Sequence, residues 1–90
     1  MTVKGKTETG FEFEIDREVL EDAEFLELYG EQEKDGRNLF AFIECAIGKD
    51  QKKRLYDHIR NEKGRVPMDK LRSEVGDILL SLAENPETKN

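Results

Sequence analysis

Apolar and acidic residues alternate strictly through Phe11-Glu12-Phe13-Glu14-Ile15. That is the period of a strand with one buried face. Thr2 to Thr7 reads as a weaker strand, and Glu8-Thr9-Gly10 supplies a turn, so the pattern predicts an N-terminal hairpin over residues 1–15. From Asp16 the period lengthens to that of a helix. Asp16 suits an N-cap, and Glu18 and Glu21 fall in the first turns, where the helix dipole favours acids. The first predicted helix runs to about Glu31. Val19, Ala23 and Leu26 make its inward face, flanked by Leu20 and Tyr29, whereas Phe25 and Leu28 point elsewhere, to the hairpin or to solvent.

The stretch Leu39 to Ile47 carries one carboxylate, Glu44, and one thiol, Cys45; its other residues are apolar. At 100° per residue, Leu39, Phe42, Ile43, Ala46 and Ile47 share a face flanked by Phe40 and Cys45. A helix that is apolar nearly all round belongs in the interior, so this is the predicted central helix. Gly48 follows its last apolar residue and suits a left-handed cap. Asp50 then caps a third predicted helix with Leu55 and Ile59 inward and Tyr56 and His58 beside them. Gly64 ends it, and Pro67 opens a fourth carrying Met68, Leu71, Val75, Ile78, Leu79 and Leu82 on one face. Gly76 and Leu80 lie on its opposite side. Asn85-Pro86 stops it. The expectation is a mainly α (α+β) fold: four helices around a buried central one, with a short N-terminal β-hairpin. It forms a single domain over 1–90, with hairpin 1–15, helical part 16–84 and a loose tail 85–90.

Charge changes this picture in one respect. The chain is 40% charged with a formal net charge of −6, yet the charge is unevenly placed. Residues 1–35 hold four bases against twelve acids, whereas Lys49 to Arg72 holds nine bases against four acids. An acidic front and a basic middle are either two solvated surfaces or complementary ones, within the fold or head-to-tail between copies. Self-association is permitted by this asymmetry without being required. A single cysteine excludes an internal disulfide and suits a reducing compartment. No signal-peptide pattern and no apolar run near the ~18 residues of a membrane span occurs, so a soluble intracellular protein without membrane contact is expected.

Candidate chemistry is sparse. His58 is the one histidine and Cys45 the one cysteine, so a metal lacks its ligand set and a nucleophile lacks a neighbouring base. Neither GxGxxG nor GxxxxGK[ST] is present. No catalytic, cofactor-binding or metal residue is expected, and the chain reads as a non-enzyme. Glu44 either points out through the polar strip of its helix or pairs with a base from a later helix. Gly76 costs its helix roughly 1 kcal/mol against alanine, and with Leu80 it makes a partner face. The third and fourth predicted helices, joined by Gly64–Pro67, have a helix-turn-helix outline with many bases. The acidic net charge and the poor base-reading side chains Met68 and Asp69 argue against nucleic acid as a partner.

Taken in order, several segments carry a resemblance. They are Phe11-Glu12-Phe13-Glu14-Ile15-Asp16, then Val19-Leu20-Glu21-Asp22-Ala23-Glu24-Phe25-Leu26-Glu27-Leu28, and the apolar run Leu39–Ile47. Leu55-Tyr56-Asp57-His58-Ile59-Arg60, Gly64-Arg65-Val66 and the Leu71–Leu82 helix complete them. Together they resemble the small tail assembly chaperones of long-tailed (siphovirus-type) phages and prophages of Gram-positive bacteria. Pro67 departs from the pattern, standing where a serine or threonine cap is more usual. The resemblance implies a non-enzymatic protein of the host cytoplasm, absent from the mature virion. Its partners would be the tape-measure protein, kept soluble, and the tail-tube protein assembled around it. It also implies partner contacts at apolar positions off the main helix faces: Phe25, Leu28 and Leu80, with Gly76 beside Leu80. The alternatives are a small bacterial DNA-binding regulator using the third and fourth helices, and a structural head–tail component.

Overall fold

In the computed structural model the alternating segment pairs as its pattern requires. The structure describes residues 2–34 and 36–84. Strand β1 (Thr2–Lys6) runs antiparallel to β2 (Glu12–Asp16), with Val3 opposite Ile15 and Gly5 opposite Phe13. Val3, Phe11, Phe13 and Ile15 are buried on the inner face, while Lys4, Lys6, Glu12 and Glu14 face outward. Each fully buried side chain of this kind contributes about 1.5–3 kcal/mol, and a lone two-stranded hairpin needs that support. Gly5 is demanded by packing. A Cβ there would lie 2.5 Å from Phe13 Cζ and 2.7 Å from Ser81 Oγ, so the absence of a side chain lets the Phe13 ring lie across the facing strand.

The helical part departs from the sequence expectation in two places. Asp16 caps as expected, accepting from the Glu18 N–H at 2.9 Å, but it opens a 3-10 turn over Arg17–Glu21 rather than a long helix. Asp22 is extended, with φ −76° and ψ 129°. It starts the helix anew, its carboxylate accepting from the Glu24 N–H at 2.7 Å. Helix α1 is therefore Ala23–Lys34. The break resets the helical phase, so the Val19/Ala23/Leu26 face does not exist as one surface. Phe25 turns in and Leu26 turns out.

The second departure is the helix count. Among the described residues three α-helices form, where four were expected, because the second and third merge into α2 (Leu39–Ile59); α3 is Met68–Glu84. Gly48 still interrupts α2, with φ 82° and ψ 167°. That backbone is open essentially to glycine alone, and it is not the left-handed helical cap expected. The two halves of α2 keep separate work. Leu39, Phe42, Ile43 and Ile47 of the first half, and Leu55 and Ile59 of the second, are all buried.

These elements close around the first half of α2. Phe25 of α1 meets Phe42 at 5.2 Å between ring centroids, and Tyr29 meets the same ring edge-on at 5.8 Å. Leu71, Val75 and Ile78 of α3 join this core, with Leu79 partly buried against it. Met68, expected on that face, is exposed. The Leu82 side chain and the tail 85–90 lie outside the described residues. The second half of α2 runs along β2, and α3 runs past β1. The hairpin therefore has a helix at each edge, which blunts the pairing tendency of exposed strand edges.

Candidate functional site

Glu74 falls on the inward face of α3, three residues after Leu71 and four before Ile78. That spacing puts a carboxylate where an apolar residue belongs, and it is 2% exposed. A buried carboxylate must find donors. The hairpin turn supplies two: Thr7 Oγ1 donates to one oxygen at 2.9 Å, and Thr9 Oγ1 donates to the other at 2.8 Å. Thr7 Oγ1 also accepts from the Phe11 N–H at 3.1 Å. Both hydroxyl protons are thereby committed to Glu74. The 3.2 Å separation of the two hydroxyls is contact without a shared proton. Thr9 Oγ1 lies 2.9 Å from His58 Nε2. With its own proton on Glu74, Thr9 accepts there, and the imidazole carries its hydrogen on Nε2.

This geometry decides what the cluster can do. In a nucleophilic triad the histidine takes the proton of the hydroxyl. Here the hydroxyl sits between the carboxylate and an imidazole that donates to it, so His58 is not placed as its base. The network instead ties the hairpin turn to α2 and α3. A second carboxylate one turn on, Asp77, accepts from the Glu8 N–H at 3.1 Å. The Phe11 ring lies 5.6 Å from that of His58 and 5.4 Å from the Arg54 guanidinium carbon.

Gln51 ties the opposite edge. Its amide accepts from the Glu14 N–H and donates to the Glu14 carbonyl, both at 2.7 Å, and it donates to the Ile47 carbonyl at 2.8 Å. One side chain thus fills a strand-like pairing position on β2 and satisfies a carbonyl freed by the Gly48 break. Across the same break Lys52 meets Glu44 at 3.5 Å. Both sequence readings of Glu44 hold, since it is exposed and paired. In a straight helix these residues would be ~12 Å apart along the axis; the break shortens that span. Burial first, then the charge of Glu44, raise the Tyr56 hydroxyl above its ordinary 10.0. Burial, then Asp22 and Glu24, raise the Cys45 thiol above its ordinary 9.0, which disfavours the reactive thiolate.

The four residues expected to meet a partner separate into three situations. Phe25 is 4% exposed and belongs to the core, so its role as an open contact is corrected; the phase change at Asp22 is the cause. Leu28 is half-buried against the same core. Leu80, by contrast, is 58% exposed, beside Lys6, Glu8, Asp77 and Ser81. Gly76 is exposed on the floor of a 420 Å³ groove between α3, the end of α1 and the start of α2. Leu26, 56% exposed, and Tyr29 take the outward position on α1 that Phe25 was expected to hold. Sequence reasoning missed the Glu74 cluster altogether. The signal was present in the spacing of Leu71, Glu74 and Ile78.

Among the described residues no three His, Cys, Asp or Glu side chains are grouped to hold a metal ion, and no helix is long and apolar enough to cross a membrane. Arg60, within the basic stretch, is tied to Asp57 at 3.2 Å and to the Gly64 carbonyl at 2.7 Å. No family model, characterised protein or solved structure matches the chain.

Proposed function

We propose that this protein is a non-enzymatic tail assembly chaperone of a long-tailed phage or prophage of Gram-positive bacteria. On this reading it binds the tape-measure protein and promotes assembly of the tail tube around it, acts in the host cytoplasm and leaves before the virion is complete. The reading begins from the residue patterns quoted above. The observation that carries it is the placement of apolar side chains on a highly charged surface. Leu26 on α1 and Leu80 on α3 face solvent, and Tyr29 is partly exposed beside Leu26 although its ring meets Phe42 edge-on. Small apolar surfaces set among charges suit a transient grip on a long helical client. The polar cluster is compatible with this reading, because its hydrogen bonds hold the fold and direct the Thr7 and Thr9 hydroxyl protons to Glu74.

Co-expression tests the proposal. A tape-measure protein from the same phage or prophage is produced with and without this chain, and its soluble fraction and co-purification are measured. A rise in solubility with a recovered complex is the expected result. Unchanged solubility together with no complex overturns the proposal.

A further inference from the structure

Gly76 has no reason within this chain. It sits inside α3, where alanine would stabilise the helix, and a Cβ there would meet nothing within 4 Å. Open space above a helical glycine is what a second backbone needs to come close. Around it lie Leu39, Val75 and Leu79 as an apolar floor, with Gln32 and Arg72 at the rim. Among the described residues Arg72 is the one ionisable residue lining the groove. Among the described residues it has no ion-pair or hydrogen-bond partner. Gly36 keeps room for it: a Cβ at Gly36 would lie 2.9 Å from Arg72 Nη2, so any side chain there would push the guanidinium off the rim.

We infer that this groove seats one amphipathic helix of the client, crossing α3 at Gly76 and bringing a carboxylate to Arg72. The inference rests on the chaperone reading above. A helix fits better than an extended segment, because its backbone is satisfied internally and α3 offers no free strand edge for pairing. The face from Arg72 to Leu79 is about 10 Å long, matching roughly two turns of a crossing helix. Arg72 stands exposed at the rim beside this apolar floor. An acid on the docked helix at that point gives it the counter-charge that it lacks among the described residues and selects the client by charge match. A contact of this size is small for a stable complex and suits a partner that is later released.

The test uses the full chain and overlapping synthetic peptides that span the tape-measure protein, with co-purification of the whole tape-measure protein alongside. Gly76→Trp fills the groove and Arg72→Glu reverses its charge. Both should keep the wild-type circular dichroism and a Tm no lower than that of the wild type, and Gly76→Leu replaces the tryptophan variant if that one unfolds. Peptide affinity should fall at least about tenfold in each variant, a loss of about 1.4 kcal/mol. Exchanging the acid of the best peptide for lysine should restore binding to Arg72→Glu. If the wild type holds the client and both variants hold it equally, the groove is not the seat and the chaperone reading stands. If the groove-filling variant loses the client but the charge exchange restores nothing, the carboxylate is wrong. Failure of the wild type to capture any client overturns both.

Discussion

Thr7→Val isolates the buried cluster. Valine keeps the branched shape and the strand preference of threonine and removes only the hydroxyl. Thr7 is 5% exposed, so water cannot replace what is lost. Two interactions go: donation to Glu74 at 2.9 Å and acceptance from the Phe11 N–H at 3.1 Å. A hydrogen bond to a charged group contributes about 1.5–3 kcal/mol, and an orphaned buried donor costs about 1–3 kcal/mol. The extra apolar burial of a methyl offsets about 0.8 kcal/mol of this. The net loss should be about 2–5 kcal/mol, or roughly 10 °C or more in Tm for a domain of this size. Thr9 is exposed, so Thr9→Val should cost less than about 1 kcal/mol, water serving Glu74 instead. Removing both ends of the buried contact, Thr7→Val with Glu74→Leu, should be less harmful than the sum of the two single changes. Urea unfolding followed by circular dichroism, at constant m, gives all four values. The reasoning fails if Thr7→Val lies within about 0.5 kcal/mol of wild type, or if the two threonines cost the same.

Two helical glycines should respond to alanine with opposite signs. Gly48→Ala puts a side chain on a backbone with φ 82° and should destabilise by about 1–3 kcal/mol, whereas Gly76→Ala should stabilise by about 1 kcal/mol; denaturant midpoints decide. Gly5→Ala should lower stability by about 1–3 kcal/mol through its clash with Phe13 and Ser81, and hairpin amides should lose hydrogen-exchange protection most. Cys45 should alkylate with iodoacetamide more slowly in the native state than in urea at about pH 8, since the folded thiol holds its proton. The linkage has a definite sign: the native state binds that proton more tightly, so the contribution of Cys45 to stability is complete below the ordinary 9.0 and fades as pH rises through the higher folded value. Cys45→Ala should flatten that part of the stability curve.

Period-2 alternation read the hairpin correctly because each of its inner residues has one face to choose. The apolar run from Leu39 to Ile47 was equally legible, since its residues leave little to put in water. What periodicity could not see is phase. A single extended residue, Asp22, rotates everything after it, and with it Phe25 and Leu26 exchange inside for outside. At Gly48 the glycine itself was visible, but whether it ends a helix or bends one depends on partners such as Gln51, whose bond to Glu14 spans 37 residues of sequence. The same holds for Glu74. Its place on an apolar face is written in the spacing, yet its donors come from a turn 65 and 67 residues away. Of the expected contact residues, Leu80 and Gly76 were legible as positions off the helix face, a judgement α3 supports because nothing interrupts its phase.

The hairpin held between α2 and α3 also sets an order of events during synthesis. Thr7 and Glu74 are separated by 67 residues, so the turn leaves the ribosome about 3–13 s before its anchor at ~5–20 residues per second. Through all of that interval Phe11 and Phe13 lack α3, and through most of it they lack the completed second half of α2 as well. The acidic residues Glu8, Glu12 and Glu14, interleaved with these phenylalanines, then serve a nascent chain by opposing strand addition with its neighbours on the same message.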